Sequence, residues 1–310
     1  MKTVAIRKST NVRKYLELLK WRATFALGGI FLPSSTAEHA ARLFATPFAS
    51  ARNRARAFES NDVVSRADFH RGLIAAGSRS LSTYVWGDPT RERYALLVHG
   101  WSSFGLRFAS WVARLRAAGY AVVAFDHPAH GNSNGTLATL PEFAEAVSTV
   151  GAHFGNAALA IGHSLGGAAI MLAQNERWRA ERIVLIAPPA DMTMAVDRYF
   201  RFLRLGDHLR GRFYAWHKQR TGIDARTLSL AQRLRAFGQP GLIVHDVDDR
   251  EVPWGEGERY ALHWNGARLL TTQGLGHNRI LDDARVIDAA LAFARGEVVG
   301  DHVQGSPGLM

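Results

Sequence analysis

The segment AALAIGHSLGGAAIMLAQ, residues 157–174, decides the fold of this 310-residue chain. Its first five residues form an unbroken apolar run, which is typical of a strand covered on both faces. A glycine-rich turn follows at residues 162–167, and the apolar residues from 167 to 174 then predict a helix. A buried strand that turns directly into a helix indicates a parallel sheet with helices on its faces.

The same alternation of strands and helices extends on both sides of this segment. The predicted strands cover residues 82–86, 94–98, 121–125, 157–161, 182–186, 241–245 and 267–272. The predicted helices between them cover residues 108–118, 140–154, 167–174, 257–263 and 283–295. This order predicts an α/β fold with a doubly wound, mostly parallel sheet, in which ligands bind beyond the carboxyl ends of the strands.

The composition excludes several kinds of chemistry. The chain has no cysteine, so disulfides, zinc–thiolate sites, iron–sulfur clusters and cysteine nucleophiles are ruled out. Its net charge of +11 is regional: residues 1–80 carry +9, residues 192–237 carry +7, and the remainder carries −5. Because no zinc-finger spacing, RNP-like strand or basic leucine-zipper pattern accompanies this charge, we expect no nucleic-acid partner.

The basic first segment also bears on membranes. The longest apolar run, residues 23–32, is about half the length of the roughly 20 residues that a spanning helix needs. The basic stretch before it and the Ser-Ser-Thr-Ala after it resemble a signal peptide, but Gly28 and Gly29 interrupt the run. We therefore expect a basic amphipathic helix that docks on the protein body or on a membrane surface, with secretion as the alternative.

These patterns divide the chain into three parts. Residues 1–80 are expected to form a basic N-terminal helical extension, and residues 81–191 and 238–310 to form the sheet domain. The segment between them, residues 192–237, has aromatic and arginine residues at helical spacing, which predicts helices.

Gly162-His163-Ser164-Leu165-Gly166 places a nucleophile candidate between a strand and a helix. In this context G-x-S-x-G forms a sharp turn that holds the serine hydroxyl clear of the backbone. A hydroxyl requires a base, normally a histidine oriented by a carboxylate, and these follow later in the chain. His277, on the glycine-rich loop after the last strand, is the expected base.

The acid is expected at the end of an earlier strand. Asp249 is favoured because its loop turns back at Val252-Pro253; Asp248 is the second choice and Asp191 the third. Two backbone amides complete the predicted site as an oxyanion hole. Trp101 follows the strand end at His99-Gly100, and Leu165 follows the serine directly.

In these residues the chain resembles the α/β-hydrolase superfamily, and most closely its serine esterase and lipase members. The resemblance rests on His99-Gly-Trp, on FDHPAHGNS at residues 125–133, on Gly162–Gly167, on Asp249–Pro253 and on Gly276-His277. It implies an α/β-hydrolase fold, a Ser164–Asp249–His277 triad, and an oxyanion hole at Trp101 and Leu165. It also implies that the helices of residues 192–237 form a helical cap over the active site. Ala129 stands where the family often has glycine, and the resemblance does not cover residues 1–80.

The function that this resemblance implies is hydrolysis of a carboxylic ester through an acyl-serine intermediate, without a metal or an organic cofactor. Thioesterase, lactonase, amidase and carbon–carbon hydrolase activities would use the same residues, and a non-catalytic binding protein on the same fold is the remaining alternative. The expected partners are a small ester or acyl substrate and, through the basic segments, an anionic membrane surface. The expected location is the cytoplasm, with oligomeric state left open by the sequence.

Overall fold

The computed structural model describes residues 2–59, 62–175, 177–228, 234–235 and 237–303. The chain divides into two compact units. We call Met1–Ala45 with Met192–Leu228 the helical unit, and Thr46–Asp191 with Ser229–Met310 the sheet unit. The helices of the described residues are α1 Lys2–Phe31, α2 Pro33–Phe44, α3 Ala49–Phe58, α4 Ala109–Ala117, α5 Leu140–Phe154, α6 Leu165–Ala173, α7 Met192–Leu203, α8 Arg210–Thr221, α9 Trp254–His263, α10 Gly276–Arg279 and α11 Ala284–Ala294.

The sheet unit contains a single eight-stranded sheet in its described residues. Its strands are β1 Phe69–Ala76, β2 Arg79–Trp86, β3 Tyr94–Val98, β4 Ala121–Phe125, β5 Ala157–His163, β6 Ala180–Ile186, β7 Gly241–Asp246 and β8 Ala267–Thr272. The spatial order is β1-β2-β4-β3-β5-β6-β7-β8, with β2 antiparallel to both of its neighbours and every other pair parallel. This sheet confirms the predicted fold class.

The central strands are covered on both faces. Every residue of β3, β4 and β5 is buried, as their unbroken apolar sequences predict. On one face Trp111 and Leu115 of α4 pack with Ile287 and Leu291 of α11 against alternate residues of the strands. Helices α5 and α6 pack against each other outside this cluster, and α6 contacts β5. The carboxyl ends of the parallel strands are thereby left to the loops that follow them.

Residues 46–80 differ from the expected helical extension, because they belong to the sheet unit. Strand β1 pairs with β2 along its whole length through a hairpin at Gly77, whose φ is +57°. Of its eight residues only Ile74 is buried, so β1 lacks the apolar alternation that would identify it in the sequence. Helix α3 is also anchored in this unit, since the Phe58 ring lies 5.1 Å from that of Phe104.

The helical unit joins two segments that the sequence treats as separate. Its core combines Phe25 of α1, Ala37, Ala40 and Ala41 of α2, Val196, Phe200 and Leu203 of α7, and Phe213 and Tyr214 of α8. Tyr199 donates a hydrogen bond from its hydroxyl to the carbonyl of Ala40 (2.9 Å). Of the predicted cap, residues 192–228 therefore pack with residues 1–45, while 229–233 and 236 lie outside the described residues. The placement of this segment as a cap stays a prediction.

The net charge of the protein is distributed unequally between the two units. The helical unit holds 16 Lys and Arg against 5 Asp and Glu, a net +11, whereas the sheet unit holds 22 of each. The sheet unit is thus neutral rather than acidic, because residues 46–80 add a net +3 and residues 229–237 a net +2 to the −5 of the remainder. None of the helices in the described part of the chain combines the length and apolar composition that crossing a bilayer requires.

The helical unit's core can be tested at Phe213, which is fully buried and whose ring lies within 6 Å of those of Phe44, Phe200 and Tyr214. We expect Phe213→Ala to lower the free energy of unfolding of this unit by about 3–5 kcal/mol, through lost contacts and a cavity. Phe202→Ala, at a ring that is 57% exposed, should cost less than about 1 kcal/mol. Native-state hydrogen exchange of α7 and α8 amides measures both; equal losses would contradict the assigned core.

Candidate active site

Ser164 lies at the sharp turn between β5 and α6. Its backbone has φ +52° and ψ −127°, a left-handed conformation that residues other than glycine rarely adopt. Two backbone hydrogen bonds hold it there: the Ser164 amide donates to the carbonyl of Ile186 (2.8 Å), and the Gly167 amide donates to the carbonyl of Ser164 (2.9 Å). The strained residue is therefore fixed by the next strand and by the first turn of α6.

The glycines on either side make this turn sterically feasible. A Cβ on Gly162 would lie 2.6 Å from the Cα of Gly167, and one on Gly166 would lie 2.3 Å from the carbonyl oxygen of Val98. Both approaches are to backbone atoms, which cannot rotate away. This explains why the sequence requires G-x-S-x-G at this position.

The structure brings together Ser164, His277 and Asp249. His277 Nε2 lies 2.9 Å from Ser164 Oγ, and His277 Nδ1 lies 2.7 Å from Asp249 Oδ2. An ionised carboxylate can only accept, so Nδ1 carries the ring proton and Nε2 presents its lone pair to the serine hydroxyl. Both His277 and Asp249 are buried. This is the hydrogen-bonded order that a nucleophile, a base and an orienting acid require.

Asp249 is kept ionised by its surroundings. Burial raises its pKa, but this is outweighed by ring nitrogens of His245 and His277 near Oδ2, so the pKa lies well below its usual value. His245 Nε2 is 3.5 Å from Oδ2 and donates mainly to the Val252 carbonyl (2.9 Å). The other oxygen, Oδ1, accepts the amides of Glu251 (2.8 Å) and Val252 (2.9 Å). These bonds fix the carboxylate toward His277.

The two alternative acids lie elsewhere. Asp248 accepts a hydrogen bond from the Gly274 amide (3.0 Å) through Oδ2. Asp191 directly precedes α7, at the end of the first stretch of the sheet unit. The carboxylate that contacts His277 in the described part of the chain is thus the favoured one. No three His, Asp or Glu side chains of the described residues are grouped so that they could bind a metal ion.

Asp246 is a residue that the sequence analysis missed. Its carboxylate is fully buried at the end of β7, where Oδ2 accepts the Thr272 hydroxyl (2.7 Å) and the Leu275 amide (3.0 Å). Burial raises its pKa, yet these hydrogen bonds hold the pKa of Asp246 below its ordinary value. The loop that carries His277 is therefore tied to β7. An aspartate that ends a buried strand was the available signal.

His163 also contacts the loop that carries His277, and the sequence pattern assigns it no role. Its Nε2 donates to the carbonyl of His277 (2.8 Å), and its ring lies 4.9 Å from the His277 ring. Burial, together with the neighbouring His277, lowers the pKa of His163 to about 3. His163 is accordingly neutral at physiological pH and holds the backbone of the predicted base rather than taking part in proton exchange.

The loop at His99–Trp101 runs beside the serine. A Cβ on Gly100 would lie 2.8 Å from the Cβ of Ser164, so only glycine allows this approach. The amides of Trp101 and Leu165 donate to no group among the described residues. Leu165 is also the first residue of α6, where the helix dipole favours negative charge.

Two buried histidines form hydrogen bonds with the backbone of this loop. His99 donates from Nδ1 to the Gly100 carbonyl (2.8 Å) and accepts the His127 amide at Nε2 (3.0 Å). His130 accepts the Ser102 amide at Nε2 (3.0 Å), while its Nδ1 donates to the Pro128 carbonyl (2.8 Å). Each ring must therefore be neutral, with its proton on Nδ1.

Ala129 stands where the family often has glycine, and its backbone shows why glycine is favoured there. Ala129 has φ +67°, in the left-handed region that favours glycine. The turn is maintained by Asp126, a fully buried carboxylate that accepts the Tyr84 hydroxyl (2.6 Å) and the amides of Gly105 (2.7 Å) and Asn132 (2.8 Å). These hydrogen bonds offset the strain of an alanine there.

Comparison with known proteins gives one family and a set of related folds. The alpha/beta hydrolase family matches residues 95–289, which is more than half of the chain. A monoacylglycerol lipase of Mycolicibacterium smegmatis is 32% identical over 133 residues. That match covers 40% of this chain and 47% of the lipase, so the chain spans about half the length of this curated relative.

Solved structures share the fold at low sequence identity. A putative hydrolase from Agrobacterium vitis S4 has a TM-score of 0.55 at 20% identity and covers 74% of this chain and 97% of its own. Est1E from Butyrivibrio proteoclasticus, with ferulic acid bound, has a TM-score of 0.56 at 18% identity, with 73% and 98% covered. An esterase from Exiguobacterium antarcticum has a TM-score of 0.56 at 17% identity, with 73% and 100% covered.

His130 links the site to the pH dependence of stability. Burial lowers its pKa from 6.5 to about 4. The unfolded chain takes up this proton below about pH 6.5 and the folded protein does not, so stability decreases as the pH falls toward 4. We expect His130→Gln, which does not titrate, to reduce the slope of unfolding free energy against pH in this window by about 1.4 kcal/mol per pH unit. Urea unfolding at several pH values measures the slope; equal slopes would contradict the buried, neutral ring.

Proposed function

This chain belongs to the alpha/beta hydrolase family, and we propose that within it the chain is a serine hydrolase that cleaves carboxylic esters through an acyl-serine intermediate. The observation that carries the proposal is the hydrogen-bonded series from Asp249 through His277 to Ser164 at the strained turn. The similarity to a monoacylglycerol lipase supports an ester as the substrate class.

In the first half of the reaction, Ser164 Oγ attacks the ester carbonyl carbon while its proton passes to His277 Nε2, 2.9 Å away. Asp249 stabilises the resulting imidazolium through the bond to Nδ1. The bond between the acyl carbon and the alcohol oxygen then breaks, and His277 returns the proton to the departing alcohol. Ser164 is left as an acyl ester.

The negative charge on the substrate oxygen requires donors at the transition state. The amides of Trp101 and Leu165 are the proposed donors, since both stand next to Ser164 and neither donates elsewhere among the described residues. Each donor of this kind stabilises the transition state by about 3–4 kcal/mol in other hydrolases. The buried ring of His130 keeps the loop of Trp101 in place through the Ser102 amide.

The second half repeats these steps with water. His277 removes a proton from a water molecule that attacks the acyl carbon. The bond from the acyl carbon to Ser164 Oγ then breaks, His277 returns the proton to Oγ, and the carboxylic acid is released. Thioesters, lactones and amides would follow the same course, so the pocket rather than the triad selects among them.

The proposal is tested by steady-state kinetics on p-nitrophenyl esters of increasing acyl length. We expect Ser164→Ala to lower kcat by at least about 10⁴-fold, and Asp249→Asn to lower it by about 10⁴-fold because the imidazole loses its orienting carboxylate. Asp248→Asn is the matched control, because the Asp248 carboxylate accepts a hydrogen bond from the Gly274 amide rather than from His277. The kcat of this variant should differ from that of wild type by less than about tenfold.

Three results would contradict the proposal. Folded wild-type protein could fail to hydrolyse every ester of the series, which would favour a binding protein. Ser164→Ala could retain wild-type kcat, or Asp248→Asn could be as inactive as Asp249→Asn. A parallel series of thioesters and lactones identifies the preferred acyl donor by kcat/KM.

A further inference from the structure

The helical unit carries the whole net charge of the protein. Its +11 contrasts with the neutral sheet unit, which contains the site described above. Helix α1 contributes seven Lys or Arg and a single Glu. A charge that is segregated in this way favours binding to an anionic partner.

Helix α1 is apolar on two opposite faces. One face is inside: Phe25 is 2% exposed in the core of the helical unit, and Leu18 packs against the same core. The other face is outside, and its residues recur every three or four positions, which places them on one side of the helix. This outer face consists of Leu16, Leu19, Ala23, Leu27, Ile30 and Phe31.

The outer face is strongly exposed. Its large side chains range from 40% exposed at Leu19 to 74% at Phe31, and Leu32 continues the patch at 64%. From Leu16 to Phe31 the face is about 23 Å long at 1.5 Å per residue. Lys20 is the one cation on this side of the helix between Leu16 and Phe31, and proteins leave an apolar surface of this length in water chiefly where something binds to it.

We propose that the outer face of α1 docks on the surface of an anionic lipid bilayer, with the helix lying in the plane of the interface. The apolar side chains would enter the acyl region while Lys20, an exposed residue of α1, binds a lipid headgroup. This inference is independent of the reaction proposed for Ser164.

The charge selects this occupant over a second copy of the chain. Pairing two outer faces would bring together two units of +11 each, and this repulsion would oppose the hydrophobic gain. A bilayer with anionic headgroups offers both complements at once, namely negative charge at the surface and apolar chains directly beneath it.

The test is cosedimentation of the full chain with vesicles. Wild-type protein should bind vesicles that mix phosphatidylcholine with phosphatidylglycerol at least about tenfold more tightly than phosphatidylcholine alone, and salt should weaken the binding. The triple variant Leu27→Ser, Ile30→Ser, Phe31→Ser should bind at least about tenfold more weakly, because it removes apolar area and leaves the charge unchanged.

A matched control is available in the sheet unit. Phe48, Leu73 and Val298 are also one aromatic and two aliphatic side chains, and they are 68–78% exposed. Their triple serine variant should bind within about twofold of wild type, because these residues are not part of the helical unit. Since all six positions are exposed, neither variant disturbs the core.

Three outcomes would overturn the proposal: no binding of wild-type protein to anionic vesicles, equal binding by the α1 variant, or equal weakening by the control. A concentration-dependent dimer in analytical ultracentrifugation that the α1 variant abolishes would also overturn it, by assigning the face to a second copy. The readout is binding rather than turnover, so it does not depend on ester hydrolysis.

Discussion

The strained backbone at Ser164 is the constraint on which the proposed site depends. A residue other than glycine at φ +52° costs about 1–3 kcal/mol and persists only when its surroundings enforce it. Here the backbone of Ser164 is held by hydrogen bonds to the Ile186 carbonyl and to the first turn of α6. It is also held by close backbone contacts that only glycine allows, at Gly162 and Gly166. Releasing the strain would withdraw Oγ from His277 and from the amides beside it.

The loops around Ser164 are held by buried polar groups of fixed protonation. Asp246 and Asp249 are ionised and accept amide hydrogen bonds from their own and neighbouring loops. His130 and His163 are neutral, and each bonds the backbone of a loop that contributes to the site. A change of charge on such a buried group costs free energy, so these groups keep the geometry of the site constant. In the proposed reaction only His277 exchanges protons.

How much of the fold and of the proposed site could be predicted from the sequence depends on how far apart along the chain the contacting residues lie. The turn at Ser164 is local, so its glycines and flanking strand and helix identify it. His277 and Asp249 follow from the order of strand ends, although their contact joins residues 28 positions apart. Strand β1 could not be recognised, because it is stabilised by pairing with β2 and buries only Ile74. The packing of α1 and α2 with α7 and α8 depends on contacts such as that between Ala40 and Tyr199, 159 positions apart, for which the sequence holds no local signal.

Covalent labelling is the decisive test of Ser164 as the proposed nucleophile. A fluorophosphonate reacts only with a serine that is activated by a base and has oxyanion donors beside it. We expect a single adduct, located on Ser164 by peptide mass spectrometry and absent from folded Ser164→Ala protein. An adduct on another residue, or folded wild-type protein that is not labelled at all, would contradict it.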